Sequence, residues 1–124
     1  MMSSSRHFDT VAFDVRENAT MLFFARTDAN GEIEDYLLLM RTITEAFEDF
    51  IILELNEQQV PVNELISEAE MTESMLTLRF REPVAEFGGV DELVITFDAT
   101  KENQTAMEAG AFRVIGEKLS GGHA

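Results

Sequence analysis

The chain has 124 residues, with 24 acidic against nine basic side chains and a formal charge of −15 at pH 7. Phosphate backbones and anionic membrane surfaces attract basic patches, so this balance excludes nucleic acid and membrane as direct partners. An apolar content of 45% with ten Phe and two Pro is too high for disorder, and the length fits one domain with a core of its own.

Residues 1–6 and 120–124 are small, polar or Gly-rich and read as tails around a single domain at 7–119. Val11, Phe13 and Val15 alternate with Ala12, Asp14 and Arg16, the period-two pattern of a half-buried strand, and a turn follows at Glu17 and Asn18. Thr20 to Arg26 carries apolar residues on both sides, as a central strand with two covered faces would. Asp28-Ala29-Asn30-Gly31 predicts a hairpin, because Asn and Gly both tolerate positive φ, and its partner strand is Tyr36 to Arg41.

Thr42 to Asp49 reads as a loop or a single turn, and Phe50 to Asn56 as a strand rich in β-branched and aromatic residues, with a turn beginning at Gln58 and Gln59. Val62 to Met71 has two readings. Val62, Leu65, Ile66 and Ala69 form a helical stripe behind Asn63 as N-cap, whereas alternation over the same run gives a strand, which the pattern favours.

Glu73 and Ser74 then turn the chain into Met75 to Arg81, whose buried side is Leu76, Leu78 and Phe80, and Pro83 is expected to end it. After the Gly88-Gly89 turn, Leu93, Ile95 and Phe97 mark the last strand. From Lys101 to Leu119, Met107, Ala111, Val114, Ile115 and Leu119 recur at helical spacing, with Asp98 or Thr100 to cap the start and Gly110 marking a close approach to the sheet. The expected fold is α+β: an antiparallel sheet of about six to seven strands with one C-terminal α-helix packed on one face.

Chemistry has little material here. The absence of cysteine removes disulfides, thiolate metal sites and thiol nucleophiles, and the two histidines, His7 and His123, cannot supply a histidine metal site or general base without several convergent partners. Ser3 to Ser5 lack a nucleophile elbow, and Gly88-Gly89 is neither a phosphate loop nor a dinucleotide fingerprint. The reading is a protein that is not an enzyme, holds no cofactor or metal, and resides in the cytoplasm, since no leader or ~20-residue apolar span is present.

Binding fits the charge pattern. Between Arg41 and Arg79 there is no Lys or Arg but there are nine acids, and such a block speeds encounter with a positively charged partner. On the strand reading Glu64, Glu68 and Glu70 project from one face, with Glu54 and Glu57 extending the row and Glu73 at its turn. These six glutamates are the candidate partner-binding residues. For any one of them the alternative is an ordinary solvated side chain. Ile66 and Phe47 would be apolar anchors if exposed and core residues otherwise.

The order of Tyr-Leu-Leu-Leu-Met-Arg at 36–41, Phe-Ile-Ile-Leu-Glu-Leu-Asn at 50–56, the Ile66 to Phe80 stretch and Asp-Glu-Leu-Val-Ile-Thr-Phe-Asp at 91–98 before a final helix resembles a group of bacterial immunity proteins from polymorphic toxin systems, immunity protein family ten. The chain departs from that pattern at Gln58-Gln59-Val60-Pro61, where a Gly-rich or aromatic turn is expected. The resemblance supports the strand reading of residues 64–71 and implies a non-enzymatic protein that binds and neutralises a cognate toxin. Two other readings stand beside it: an acidic mimic of nucleic acid that occupies a DNA- or RNA-binding protein, and an accessory or structural subunit whose acidity serves solubility. Homo-oligomerisation stays open.

Overall fold

In the computed structural model, which describes residues 3–16, 19–42 and 50–119, alternating runs build nine strands and the helical stripe builds one α-helix. The strands are β1 (Ser3–Phe8), β2 (Thr10–Arg16), β3 (Ala19–Thr27), β4 (Ile33–Thr42), β5 (Phe50–Leu55), β6 (Gln58–Pro61), β7 (Ile66–Met71), β8 (Met75–Val84) and β9 (Val90–Phe97). The helix α1 is Lys101–Ile115, shorter than the expected run to Leu119, and a 3-10 turn at Gly116–Lys118 follows it.

The class is α+β, but two sheets replace the single expected one: a four-stranded sheet ordered β1-β9-β8-β7 and a five-stranded sheet ordered β2-β3-β4-β5-β6. Residues 3–6, expected as tail, form most of β1, which pairs in parallel with β9 from Ser3 opposite Glu92 to Phe8 opposite Phe97. The chain crosses between sheets at Asp9. Its carboxylate accepts from the Thr27 N–H at 2.8 Å and the Thr10 hydroxyl at 2.7 Å, and these two bonds hold the Asp9 carboxyl below the usual carboxylate range.

The sheets share one core. Phe24 of the five-stranded sheet meets Phe8 and Phe97 of the other, with ring centroids 5.8 and 6.4 Å apart. The cross-strand row Val11, Phe24, Leu37 and Leu55, and its neighbour Phe13, Leu22, Leu39, Leu53 and Val60, lie on this inner face. Helix α1 covers the same face beside the four-stranded sheet, burying Met107, Ala111, Val114 and Ile115. Thr100 is the N-cap, its hydroxyl accepting from the Asn103 N–H at 3.1 Å. Gly110 permits the close approach: a Cβ there would stand 2.5 Å from Leu22 Cδ1.

Several local expectations are corrected by the structure. At Asp28–Gly31 only Gly31 takes positive φ, because the Asp28 carboxylate accepts from the Asn30 and Glu32 N–H groups at 2.8 and 3.0 Å and so shapes the turn itself. A non-glycine pair with two positive φ values turns the chain at Asn56-Glu57 instead, at 47° and 76°, so Gln58 and Gln59 open the strand β6 and not a turn. Pro83 lies inside β8, within a register irregularity between Arg79 and Val84 where the ladder to β9 asks no N–H of it. Of the run Val62 to Met71, favoured as a strand, only residues 66–71 form one, residues 63–65 being a turn, and the irregularity between Ile66 and Glu68 turns both Ile66 and Ala69 inward. That extra residue reproduces the three-residue spacing that imitates a helical stripe. Thr42, expected to begin a loop or single turn, ends β4, and the rest of that loop at 43–49, the expected turn at Glu17 and Asn18 and the tail at 120–124 lie outside the described residues.

Candidate binding surface

The six glutamates do not form one row. Glu68 and Glu70 lie on β7 of the four-stranded sheet, Glu54 on β5 of the five-stranded sheet, Glu57 in the β5–β6 turn, and Glu64 and Glu73 in the turns on either side of β7. Because the two sheets pack face to face, the side chain of Glu54 and those of Glu68 and Glu70 emerge on opposite outer surfaces. Ile66 is fully buried and cannot anchor a partner, while Phe47 lies outside the described residues.

Both arginines that bound the acid-rich segment serve the fold. Arg79 Nη1 lies 2.8 Å from Glu70 and 3.5 Å from Glu68, and its Nε is 3.2 Å from Glu92 on β9. The Glu70 hydrogen bond, reinforced by the surrounding carboxylates, raises the Arg79 pKa further above its ordinary value. Arg41 Nη1 donates to the Val114 carbonyl at 2.9 Å, where the last turn of α1 leaves acceptors without helical partners and concentrates partial negative charge.

Glu54 has a different setting. Its carboxylate accepts from the Tyr36 hydroxyl and from the Gln59 side-chain amide, the latter at 2.5 Å. The Tyr36 bond leads the causes that hold the Glu54 carboxyl below the usual carboxylate range, and the same bond pushes the Tyr36 phenol up. The Tyr36 oxygen also accepts from the Glu57 N–H at 3.1 Å, and Asn56 exchanges bonds with the Tyr36 backbone, donating N–H to its carbonyl at 3.3 Å and accepting its N–H through Oδ1 at 2.9 Å. Asn56 Nδ2 further donates to buried Asp35, whose two oxygens each lie 3.0 Å from Arg6 Nη1. The hairpin tip is thereby fastened to β4 and, through Arg6, to β1.

Glu57 sits at the second position of a turn in which Asn-Gly would be unstrained, because a side chain at positive φ crowds its own backbone. It is exposed, as are Glu64 and Glu73, and none of the three carboxylates makes an ion pair among the described residues. Beside the tip, Ile33, Glu34, Tyr36, Asn56 and Glu57 line a shallow hollow of about 270 Å³. His7 is accounted for structurally: its ring nitrogens lie 2.8 Å from Thr96 Oγ1 and 2.8 Å from Asp98 Oδ1, tying β1 to the end of β9.

Sequence reasoning missed Tyr36, since a tyrosine in an apolar run gives no sign that its hydroxyl meets a carboxylate 18 positions away. No protein-family model matches this chain, and no curated protein matches it.

Proposed function

We propose that this is a non-enzymatic binding protein that neutralises a cognate bacterial toxin, as an immunity protein does, by direct contact with a basic surface. The observation that carries the reading is Glu57, whose exposed carboxylate is held at φ 76° in a turn that glycine would fill with less strain. A sidechain kept against a local cost of about 1 kcal/mol points to a task outside the fold. The net charge of −15 and the resemblance of the order of its apolar and acidic segments to that of immunity proteins support the same reading. Carboxylates of this kind speed association with a positively charged partner and select against negative ones.

The test is co-expression with the product of the gene immediately upstream, where a toxin gene would lie. Rescue of growth and co-purification as one complex are expected. Failure of both would sink the reading, and comparable competition with DNA for several unrelated DNA-binding proteins would replace it with nucleic-acid mimicry.

A further inference from the structure

The helix and the four-stranded sheet both cover the inner face of the five-stranded sheet, and its outer face is not made of polar residues. In register across β3, β4 and β5, Phe23 stands opposite Leu38, and Met21 opposite Met40, which is opposite Ile52. Tyr36 adjoins them, its ring centroid 5.8 Å from that of Phe23. All six side chains are half-buried, where a solvent-facing antiparallel sheet would alternate to polar residues. Cross-strand neighbours lie ~5 Å apart, so the six form one contiguous patch.

Aromatic residues and methionine are the types enriched at protein interfaces, and methionine adapts its shape to a partner. Four carboxylates stand on this face or at its margin. Asp14 pairs with Arg16 at 2.7 Å and Glu34 with Arg26 at 3.8 Å, which leaves Glu54 and Glu57 as the charges that no cation offsets among the described residues. A second copy docked here would bring the same two carboxylates and a further charge of −15 against the first.

We infer that the outer face of the five-stranded sheet, centred on Leu38 and Met40 and bordered by Glu54 and Glu57, is the docking surface for a protein partner presenting an apolar centre flanked by Lys and Arg. This deepens the toxin-binding reading and rests on it. Apolar contact supplies the affinity, and the two carboxylates set the approach and the register.

The probe is the upstream gene product, inactivated by substitution and titrated calorimetrically against the full chain. Leu38→Asn and Met40→Asn are expected to weaken binding about 30-fold or more, with the far-UV spectrum unchanged. Glu57→Gln should weaken it about threefold to tenfold and flatten its salt dependence, whereas Glu68→Gln with Glu70→Gln, on the other sheet, should leave it within about twofold. Peroxide footprinting of the wild-type complex needs no variant: Met21 and Met40 should be protected from oxidation, while half-buried Met75 on the other sheet keeps its free rate.

Unchanged binding by the Leu38 and Met40 variants, or equal oxidation of Met21 and Met40 in the free and bound states, overturns the proposal and leaves the toxin reading intact. A wild-type dimer in sedimentation that Leu38→Asn converts to monomer overturns it in favour of a second copy. If the wild-type chain neither binds nor rescues, the reading and the proposal fall together.

Discussion

Arg79 Nη1 sits 2.8 Å from Glu70 Oε1, so the arginine that closes the acid-rich stretch of sequence is folded back onto it. With Glu68 and Glu92 also on this one guanidinium, the outer surface of the four-stranded sheet is partly neutralised.

Arg79→Met leaves three carboxylates converging on one site. At low ionic strength the variant should be less stable than wild type, by the small margin typical of exposed ion pairs. Because the loss is like-charge repulsion, added salt should shrink it, so the gap to wild type in urea midpoint narrows from 20 mM to 0.5 M NaCl. A gap independent of salt would assign Arg79 to packing.

Asn103 is the buried joint between layers. Its Oδ1 accepts from the Val11 N–H at 2.9 Å, while Nδ2 donates to the carbonyls of Asp9 at 2.9 Å and Asp98 at 2.8 Å. Asn103→Ala strands these three backbone groups in a site where the residue is 5% exposed. The expected cost is about 2–4 kcal/mol, read as a fall of roughly 10 °C in melting temperature. Asn103→Asp keeps the acceptor but sets a carboxylate oxygen against the carbonyls of Asp9 and Asp98, and should be at least as destabilising as Asn103→Ala at neutral pH.

Gly110 and Gly116 should respond to alanine with opposite signs. At Gly110 the new Cβ meets Leu22 Cδ1 at 2.5 Å and Phe13 Cδ1 at 3.1 Å, so overpacking of about 1–3 kcal/mol exceeds the ~1 kcal/mol gained in helix propensity. At Gly116, with αR backbone and nothing within 4 Å of a Cβ, alanine should stabilise by about 0.5 kcal/mol. Chemical denaturation of the two variants checks the pair.

Tyr36→Phe removes the hydroxyl that donates to the Glu54 carboxylate and lowers its pKa. The Glu54 pKa is depressed in the fold, so its contribution is present above the usual carboxylate value of ~4.3 and disappears as pH falls through the folded value. The Tyr36 pKa is raised, so its contribution is present below ~10 and is lost as pH rises through the folded value. Tyr36→Phe should therefore cost about 1 kcal/mol at pH 7 and less at both extremes, seen as a flatter profile of melting temperature against pH. A constant offset across pH would show that the hydroxyl contributes nothing through Glu54.

Glu57→Gly should stabilise the hairpin by about 0.5–1 kcal/mol by relieving positive φ, while weakening partner binding. Stability and binding moving in opposite directions is the signature of a residue retained for recognition. If both improve, Glu57 has no such role.

Much of the fold was legible because side-chain alternation is local. Leu22 and Phe24, Leu37 and Leu39, Leu76 and Leu78, and Leu93 and Ile95 turn inward as their period-two positions require, and Thr100 caps α1 as its place before the helical stripe implies. What blurred the reading was also local: the irregularity after Ile66 imitates a helical spacing and kept a helix open as an alternative, and Asn30-Gly31 looks like a two-residue turn until the Asp28 side chain is placed. The candidate site was legible as a set of acids and not as a surface, because the assignment of Glu54 and Glu70 to different sheets depends on which strands pair.

The sequence alone determined the charge, the absence of thiol chemistry, the existence of a core, and which side of most strands faces it. These follow from residue identity and from neighbours one to four positions apart. Only the tertiary structure decided that Ser3 pairs beside Glu92, that Arg79 gathers carboxylates from two neighbouring strands, and that the second apolar side of β3 stays half-exposed. Those outcomes depend on contacts between residues far apart in the chain, whose pairing is chosen by the shared burial of the whole core and not by any one segment's pattern.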